Sequence, residues 1–299
     1  MQDLAPIVLF VYNRPAHTQR VIEALQKNEL SSKSKLYVFS DGPRNEKHTE
    51  SVLNVRKLIK GVKGFLNVEI IEREKNLGLA TSIISGVSEI LNHSDRIIVL
   101  EDDLLVSPYF IDYVNQGLFV YENDLNVASI HGYIYPIKNE LPQTFFLRGA
   151  DCWGWATWKR AWATFEQDAE KLINKLSEMN LVSQFDFNGS VSNFNMLQKQ
   201  SKGLIDSWAI RWHASCFIRN MYTLYPGTSL VRNIGNDDSG THTLSTRVYD
   251  TELFVSEIPI DKKEVFEEQA IRSLLENYFY SIKPSLTERL ISFIRRSSK

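Results

Sequence analysis

Unbroken apolar runs alternate with amphipathic stretches through roughly the first 120 residues. Residues 7–12 form a continuous apolar run, Asn13-Arg14-Pro15 breaks it, and residues 16–27 carry Val21, Ile22 and Leu25 at helical spacing. This predicts strand, turn and helix. The same alternation recurs as 35–39 followed by 49–59, and as 68–71 followed by 79–91. A fourth run, 96–100, leads into Glu101-Asp102-Asp103 and a helical stretch over 108–121. Strands that are apolar throughout are buried on both faces, and strands alternating with helices build a parallel sheet covered on both sides. The expected class is α/β. Ligands of such sheets bind beyond the carboxyl ends of the strands. The loops at Asn13-Arg14, Ser40-Asp41-Gly42 and Glu101-Asp102-Asp103 should therefore meet in one crevice.

From about residue 127 the alternation gives way to an aromatic-rich composition, including Trp153, Trp155, Trp158, Trp208 and Trp212. This divides the chain into an α/β half at 1–125, a second half of the same domain at 126–260, expected to be α-rich, and C-terminal helices at 261–299. Trp155, Trp158 and Trp162 fall on one face of an expected helix, a spacing that indicates core. Asp151 and Trp153 precede that helix and are better placed to meet a ligand, since an aromatic ring can stack on the C–H face of a sugar.

The 34 basic residues nearly balance the 36 acidic ones, so no global field recruits nucleic acid. Cys152 and Cys216 lie far apart among bulky apolar neighbours, as reduced buried thiols do. The first residues carry no basic leader region, and no stretch reaches the roughly 20 apolar residues of a membrane span. The expected location is the cytoplasm. Residues 283–299 hold five basic residues and one acidic, with Leu286, Leu290, Phe293 and Ile294 on one helical face. That pattern suits either packing on the domain or peripheral contact with the inner face of an anionic membrane.

Three consecutive carboxylates at the end of a buried strand repel one another unless a cation compensates. Carboxylate oxygens suit hard ions such as Mg²⁺ or Mn²⁺, whose sites are often completed by substrate phosphates and water. A solvated acidic turn or a helix cap is the plainer alternative. Chemistry by hydride transfer or ATP is disfavoured, because neither Gly-x-Gly-x-x-Gly nor a P-loop is present. Zinc hydrolysis lacks its ligand spacing.

Leu100-Glu-Asp-Asp-Leu-Leu-Val-Ser-Pro-Tyr-Phe110 resembles the acidic motif of GT-A glycosyltransferases, especially the N-acetylglucosaminyltransferase I type, and the arrangement is shared by family 2-like bacterial enzymes. The resemblance extends over Asn13-Arg14-Pro15, Ser40-Asp41-Gly42, Asn76-Leu-Gly-Leu-Ala80, the Trp-Gly-Trp segment and Gly235-Asn-Asp-Asp-Ser-Gly-Thr-His242, in that order. It implies a GT-A, Rossmann-like, mostly parallel sheet flanked by helices. It also implies that Asp103 ligates Mn²⁺ or Mg²⁺, that Glu101 and Asp102 contact ribose or metal-bound water, and that Asp41 faces the nucleobase. Arg14 would reach the base or a phosphate, and a surface role for it is the alternative. Asn76 and Gly78 open a helix whose backbone N–H groups could approach the nucleotide, or which is simply capped there.

In the same resemblance, Asp206 is the base that takes the acceptor proton. A place beside Trp208 and Trp212 would desolvate it, while an N-cap role is the alternative. Trp208 would line the acceptor site with Asp151 and Trp153. Arg211 would pair with a phosphate or with a neighbouring carboxylate, and His242 with the diphosphate, the metal or its own loop. The implied partners are a nucleotide-sugar donor, expected to be a UDP-sugar, and a glycan or lipid-linked acceptor. The implied setting is bacterial surface polysaccharide or glycoconjugate synthesis. A sugar nucleotidyltransferase would share the carboxylates but needs a glycine-rich loop after the first strand, which is missing. A non-catalytic carbohydrate-binding protein on the same fold is the third possibility.

Overall fold

The computed structural model of the protein describes residues 3–237 and 247–283. The first half runs β1 (Ile7–Val11), α1 (Pro15–Gln26), β2 (Lys35–Ser40), α2 (Glu46–Ile59), β3 (Asn67–Glu72), α3 (Leu79–Leu91), β4 (Arg96–Glu101), β5 (Leu104–Val106) and α4 (Phe110–Val120). The second half adds β6 (Val127–His131), β7 (Thr144–Arg148), β8 (Trp155–Trp158), α5 (Lys159–Trp162), α6 (Ala169–Glu178) and α7 (Val182–Phe185). It continues with α8 (Asn193–Ser201), α9 (Trp208–Ile218), β9 (Tyr222–Pro226), β10 (Val231–Asn233) and α10 (Gln269–Ser281).

Among the described residues, eight strands form one sheet in the order β3-β2-β1-β4-β8-β6-β9-β7. Strands β3, β2, β1 and β4 are parallel neighbours, as the βα alternation requires. Every residue of β1 is buried, which accounts for its unbroken apolar run. At the edge, β3 is only half-buried, so its run is less sheltered than the apolar pattern suggested.

The second half holds helices α5 to α9, in keeping with the α-rich expectation, together with strands that the local alternation did not announce. It supplies β6 to β9 to the same sheet, with β8 antiparallel to both β4 and β6. β9 lies parallel to β6 and antiparallel to β7. Sheet order there does not follow chain order, so local alternation could not reveal it. The helix expected through Trp155, Trp158 and Trp162 is also replaced. Trp155–Trp158 is strand β8, and the helix starts only at Lys159. Gly154, at φ 68°, turns the chain into the strand, and pairing on both sides then outweighs the three-residue spacing of the rings. All three rings are nonetheless buried.

Beyond the large sheet, β10 pairs antiparallel with β5, Asn233 opposite Leu104. This lays residues 233–235 across the acidic motif. Helices α6, α8 and α9 enclose a second apolar cluster around Leu176, Phe185 and Phe217. A third cluster joins β7, β9 and α10 through Leu147, Tyr225, Leu275 and Phe279. His242 and the basic segment beyond Lys283 lie outside the described residues.

Candidate active site

The loops after β1, β2 and β4 meet, as the strand order demands. Asp41 N donates to Val11 O, and Tyr12 N donates to Asp102 Oδ2 at 3.3 Å. Arg14, in the turn into α1, places Nη2 on Asp102 Oδ1 and, at 2.9 Å, on Asp103 Oδ2. One guanidinium therefore bridges two of the three carboxylates. Burial opposes the Arg14 charge, but the two aspartates outweigh it and raise the pKa above its ordinary value. Burial also raises the Asp102 carboxyl against the pull of Arg14. Glu101 is pushed up to about 8 by burial, with the Asp103 and Asp102 charges adding and Arg14 opposing. Gly235 closes the site from above, where a Cβ would stand 2.2 Å from Asp103 Oδ2.

Asp41, Asn76 and Gly78 are brought together, but by binding one another. Asp41 is buried, and its oxygens accept from Asn76 Nδ2 (3.0 Å), Leu77 N (2.9 Å), Gly78 N (3.0 Å) and Gly42 N (2.9 Å). Asn76 Nδ2 also donates to Gly42 O at 2.9 Å. Of the two roles expected for this helix start, approach to a nucleotide or simple capping, the Leu77 and Gly78 amides follow neither directly: both donate to Asp41. Gly78 takes φ 77°, a conformation that favours glycine, and opens α3.

Across from Gly78 stands Asp206, its Oδ2 4.0 Å from where a Gly78 Cβ would lie. The N-cap of α9 is Ser207, whose side chain accepts from Ile210 N, so Asp206 is not used as a cap. Its side chain is 61% exposed, and the desolvation expected from Trp208 and Trp212 is absent because both rings turn into the core. Trp208 stacks on Trp155 with centroids 5.4 Å apart and offers no face to an acceptor. Arg211 donates to Ser207 O (3.1 Å) and Gln167 O (3.4 Å) and reaches Asp206 Oδ1 at 3.5 Å. Of its two expected partners, the structure supplies the carboxylate.

The remaining expected residues, Asp151 and Trp153, lie on the loop between β7 and β8. Asp151 accepts from Cys152 N (2.8 Å) and from Tyr135 OH (3.0 Å). His131 fixes Trp153. Its Nδ1–H donates to Tyr133 O, leaving Nε2 to accept from Trp153 N at 3.1 Å. The Trp153 ring packs edge-to-face on Tyr133 and Tyr249. The loop borders the acidic motif: burial raises the Cys152 thiol, and the charges of Asp151, Glu101 and Asp103 act in the same direction.

The sequence model of glycosyl transferase family 2 matches residues 7–179, more than half of the chain, a span that includes Arg14, Asp41 and the carboxylates. The chain belongs to this family. A search of functionally curated proteins returns no match. Among solved structures, the family 2 chain is similar to the mannosyltransferase PcManGT from Pyrobaculum calidifontis in complex with GDP-Man and Mn²⁺, at 12% identity and a TM-score of 0.31 over 46% of this chain and 40% of that one. S. aureus TarS aligns at 10% identity and a TM-score of 0.34, over 52% and 28%. A cytidylyltransferase from Leptospira borgpetersenii aligns at 12% and 0.31, over 58% and 65%. This chain spans less than two thirds of each of those proteins. The assignment rests on the family match.

Among the described residues, no group of three or more His, Cys, Asp or Glu side chains is arranged as a metal cage. Mg²⁺ and Mn²⁺ bound with a nucleotide need only one or two carboxylates, the rest of the shell being phosphate and water. The donor set at Asp103 and Asp102 fits that mode, with Arg14 as the counter-charge between them. Sequence reading missed Gly235 and Tyr12, which close on the carboxylates, and His131, which sets Trp153. Gly235 lies inside the quoted glycine-rich motif. The others act through backbone contacts that leave no local pattern.

Proposed function

We propose that this family 2 chain is a metal-dependent, inverting glycosyltransferase of the N-acetylglucosaminyltransferase I-like type. It moves a sugar from a UDP-sugar to a hydroxyl of a glycan or lipid-linked acceptor in bacterial surface polysaccharide or glycoconjugate synthesis, on the cytoplasmic side of the membrane. The observation that carries the reading is the Arg14-bridged pair Asp102 and Asp103 at the carboxyl end of β4. A bound Mn²⁺ or Mg²⁺ would supply Lewis-acid neutralisation of the departing diphosphate. Asp103 would hold it, and Arg14 would swing from the carboxylates toward a phosphate, where a guanidinium binds two oxygens at once.

Asp41 acts through Asn76, Leu77 and Gly78, giving the rim of the nucleotide site its shape. Asp206 is the base. The acceptor oxygen bonds to the anomeric carbon as the bond from that carbon to the diphosphate oxygen breaks. Asp206 takes the acceptor proton, and the nucleoside diphosphate leaves. What favours Asp206 is its place opposite Gly78 with a carboxylate not used in capping. Arg211 holds that carboxylate and its helix in position. Residues 1–125 form the donor half, 126–260 the acceptor half, and His242 and the segment 284–299 serve the diphosphate and the membrane.

Calorimetric titration with UDP, GDP and dTDP, each with Mn²⁺ and then with EDTA, tests the donor side. The expected result is binding of UDP that EDTA abolishes and Asp103→Ala removes. Binding of no nucleotide would overturn the reading. Asp206→Asn should lower turnover by about a hundredfold or more with UDP affinity kept. A wild-type rate would remove Asp206 from catalysis.

A further inference from the structure

A cavity of about 650 Å³ opens between the loop at Ala150–Trp153, the first turns of α9, and α10. Most of its wall is apolar: Leu147, Phe187, Tyr225, Leu275 and Phe279 line it, with Met196 at a more exposed position on α8. The polar lining includes Arg148, Asp151, Ser192, Asn193 and Lys283, and two of its buried polar atoms stand out. Ser190 is buried, and among the described residues neither its Oγ nor the buried Nε2 of His213 has a partner. His213 Nδ1 lies 2.7 Å from Ala150 O and 3.2 Å from Ala150 N, so it donates to the one or accepts from the other, and Nε2 is correspondingly the ring's free acceptor or free donor. Burial lowers the His213 pKa and keeps the ring neutral. Asp151, beside Cys152 on the cavity wall, completes the set.

We infer that this cavity binds an amphipathic acceptor, a sugar carrying an apolar aglycone, rather than a free glycan. The inference rests on the transferase reading and specifies the acceptor of that same site. Buried polar atoms without partners are rare in native proteins, and two in one cavity mark where a ligand's polar atoms go. Asp151, Ser190 and His213 serve the hydroxyls of one sugar residue. A glycan with hydroxyls on every ring would bury several against the apolar wall, each unpaired one lowering affinity by about tenfold or more. An apolar group gains by the same contacts. The volume falls within the range of small-molecule sites, roughly 300–1,000 Å³.

The test is calorimetric titration of the full chain with methyl, octyl and phenyl β-glucosides, the octyl form kept below its micelle-forming concentration. At least one apolar glucoside should bind tenfold or more tightly than methyl glucoside, and the octyl and phenyl arms tell an alkyl from an aryl aglycone. Val191→Trp, on the cavity wall, should cut that binding at least tenfold with metal-dependent UDP affinity unchanged. Met196→Trp fills the same space from a more exposed position and serves if the first variant misfolds. Equal binding of all three glucosides, or apolar binding untouched by both variants, would overturn the inference. Selective apolar binding without nucleotide binding would uphold the cavity and sink the transferase reading instead. Nucleotide binding without glucoside selectivity would do the reverse.

Discussion

Replacing Asp41 by Ala separates two roles that the sequence could not tell apart. In the structure its carboxylate takes hydrogen bonds from Asn76 Nδ2, Leu77 N and Gly78 N, and from the adjacent Gly42 N. Hydrogen bonds to a charged group contribute about 1.5–3 kcal/mol each, and a buried donor left unpaired costs about 1–3 kcal/mol. Leu77 is partly exposed, so water can replace some of what is lost there. Two to three donors left short give a destabilisation of about 4 kcal/mol, at the upper end of single-substitution effects. Urea unfolding measures the total, and hydrogen exchange at Leu77 and Gly78 reads the local part. Asp41→Asn, which keeps the shape and one acceptor, should lose about half as much. If Asp41→Ala costs less than about 1 kcal/mol while UDP affinity collapses, the carboxylate serves the nucleobase and its structural role is refuted.

Three further outcomes follow from the same geometry. Gly235→Ala sets a Cβ 2.2 Å from Asp103 Oδ2 and must displace that carboxylate; Mn²⁺-dependent UDP binding should weaken at least tenfold in calorimetry, and unchanged affinity would remove Asp103 from the site. Trp208→Ala deletes a buried ring stacked on Trp155 and should cost about 3–5 kcal/mol in urea unfolding, whereas a near-neutral result would place the ring outside the core. Burial lowers the pKa of His131 and His213 below the unfolded value of about 6.5, so their contribution is complete above that pH. Stability should fall as pH drops below about 6.5, by up to about 1.4 kcal/mol per pH unit for each histidine; a urea midpoint that stays flat between about pH 7.5 and 5.5 would show that neither is held neutral.

The sequence by itself determined the parallel half of the sheet and the meeting of its loops. Buried parallel strands must be apolar throughout, and the turns after them inherit their positions from strand order, so the loops of Arg14, Asp41 and the 101–103 carboxylates were expected at one end of the sheet before any side chain was placed. Their bonding was not visible. That Asp41 spends its oxygens on Asn76 and Gly78, and that Arg14 rather than solvent balances Asp102 and Asp103, depends on distances between segments 35 to 90 residues apart. The second half shows the limit most clearly. β8 slots between β4 and β6 and so makes a strand of tryptophans whose spacing suits a helix, because ladder pairing on both sides outweighs a local period. Asp206 and Ser207 are both competent caps by composition, and only the path of α9 gives the cap to Ser207 and leaves Asp206 facing Gly78. Period and residue type act along the chain. Which group meets which is decided by packing, where one carboxylate, ring or amide can fill a given space and the others must turn elsewhere.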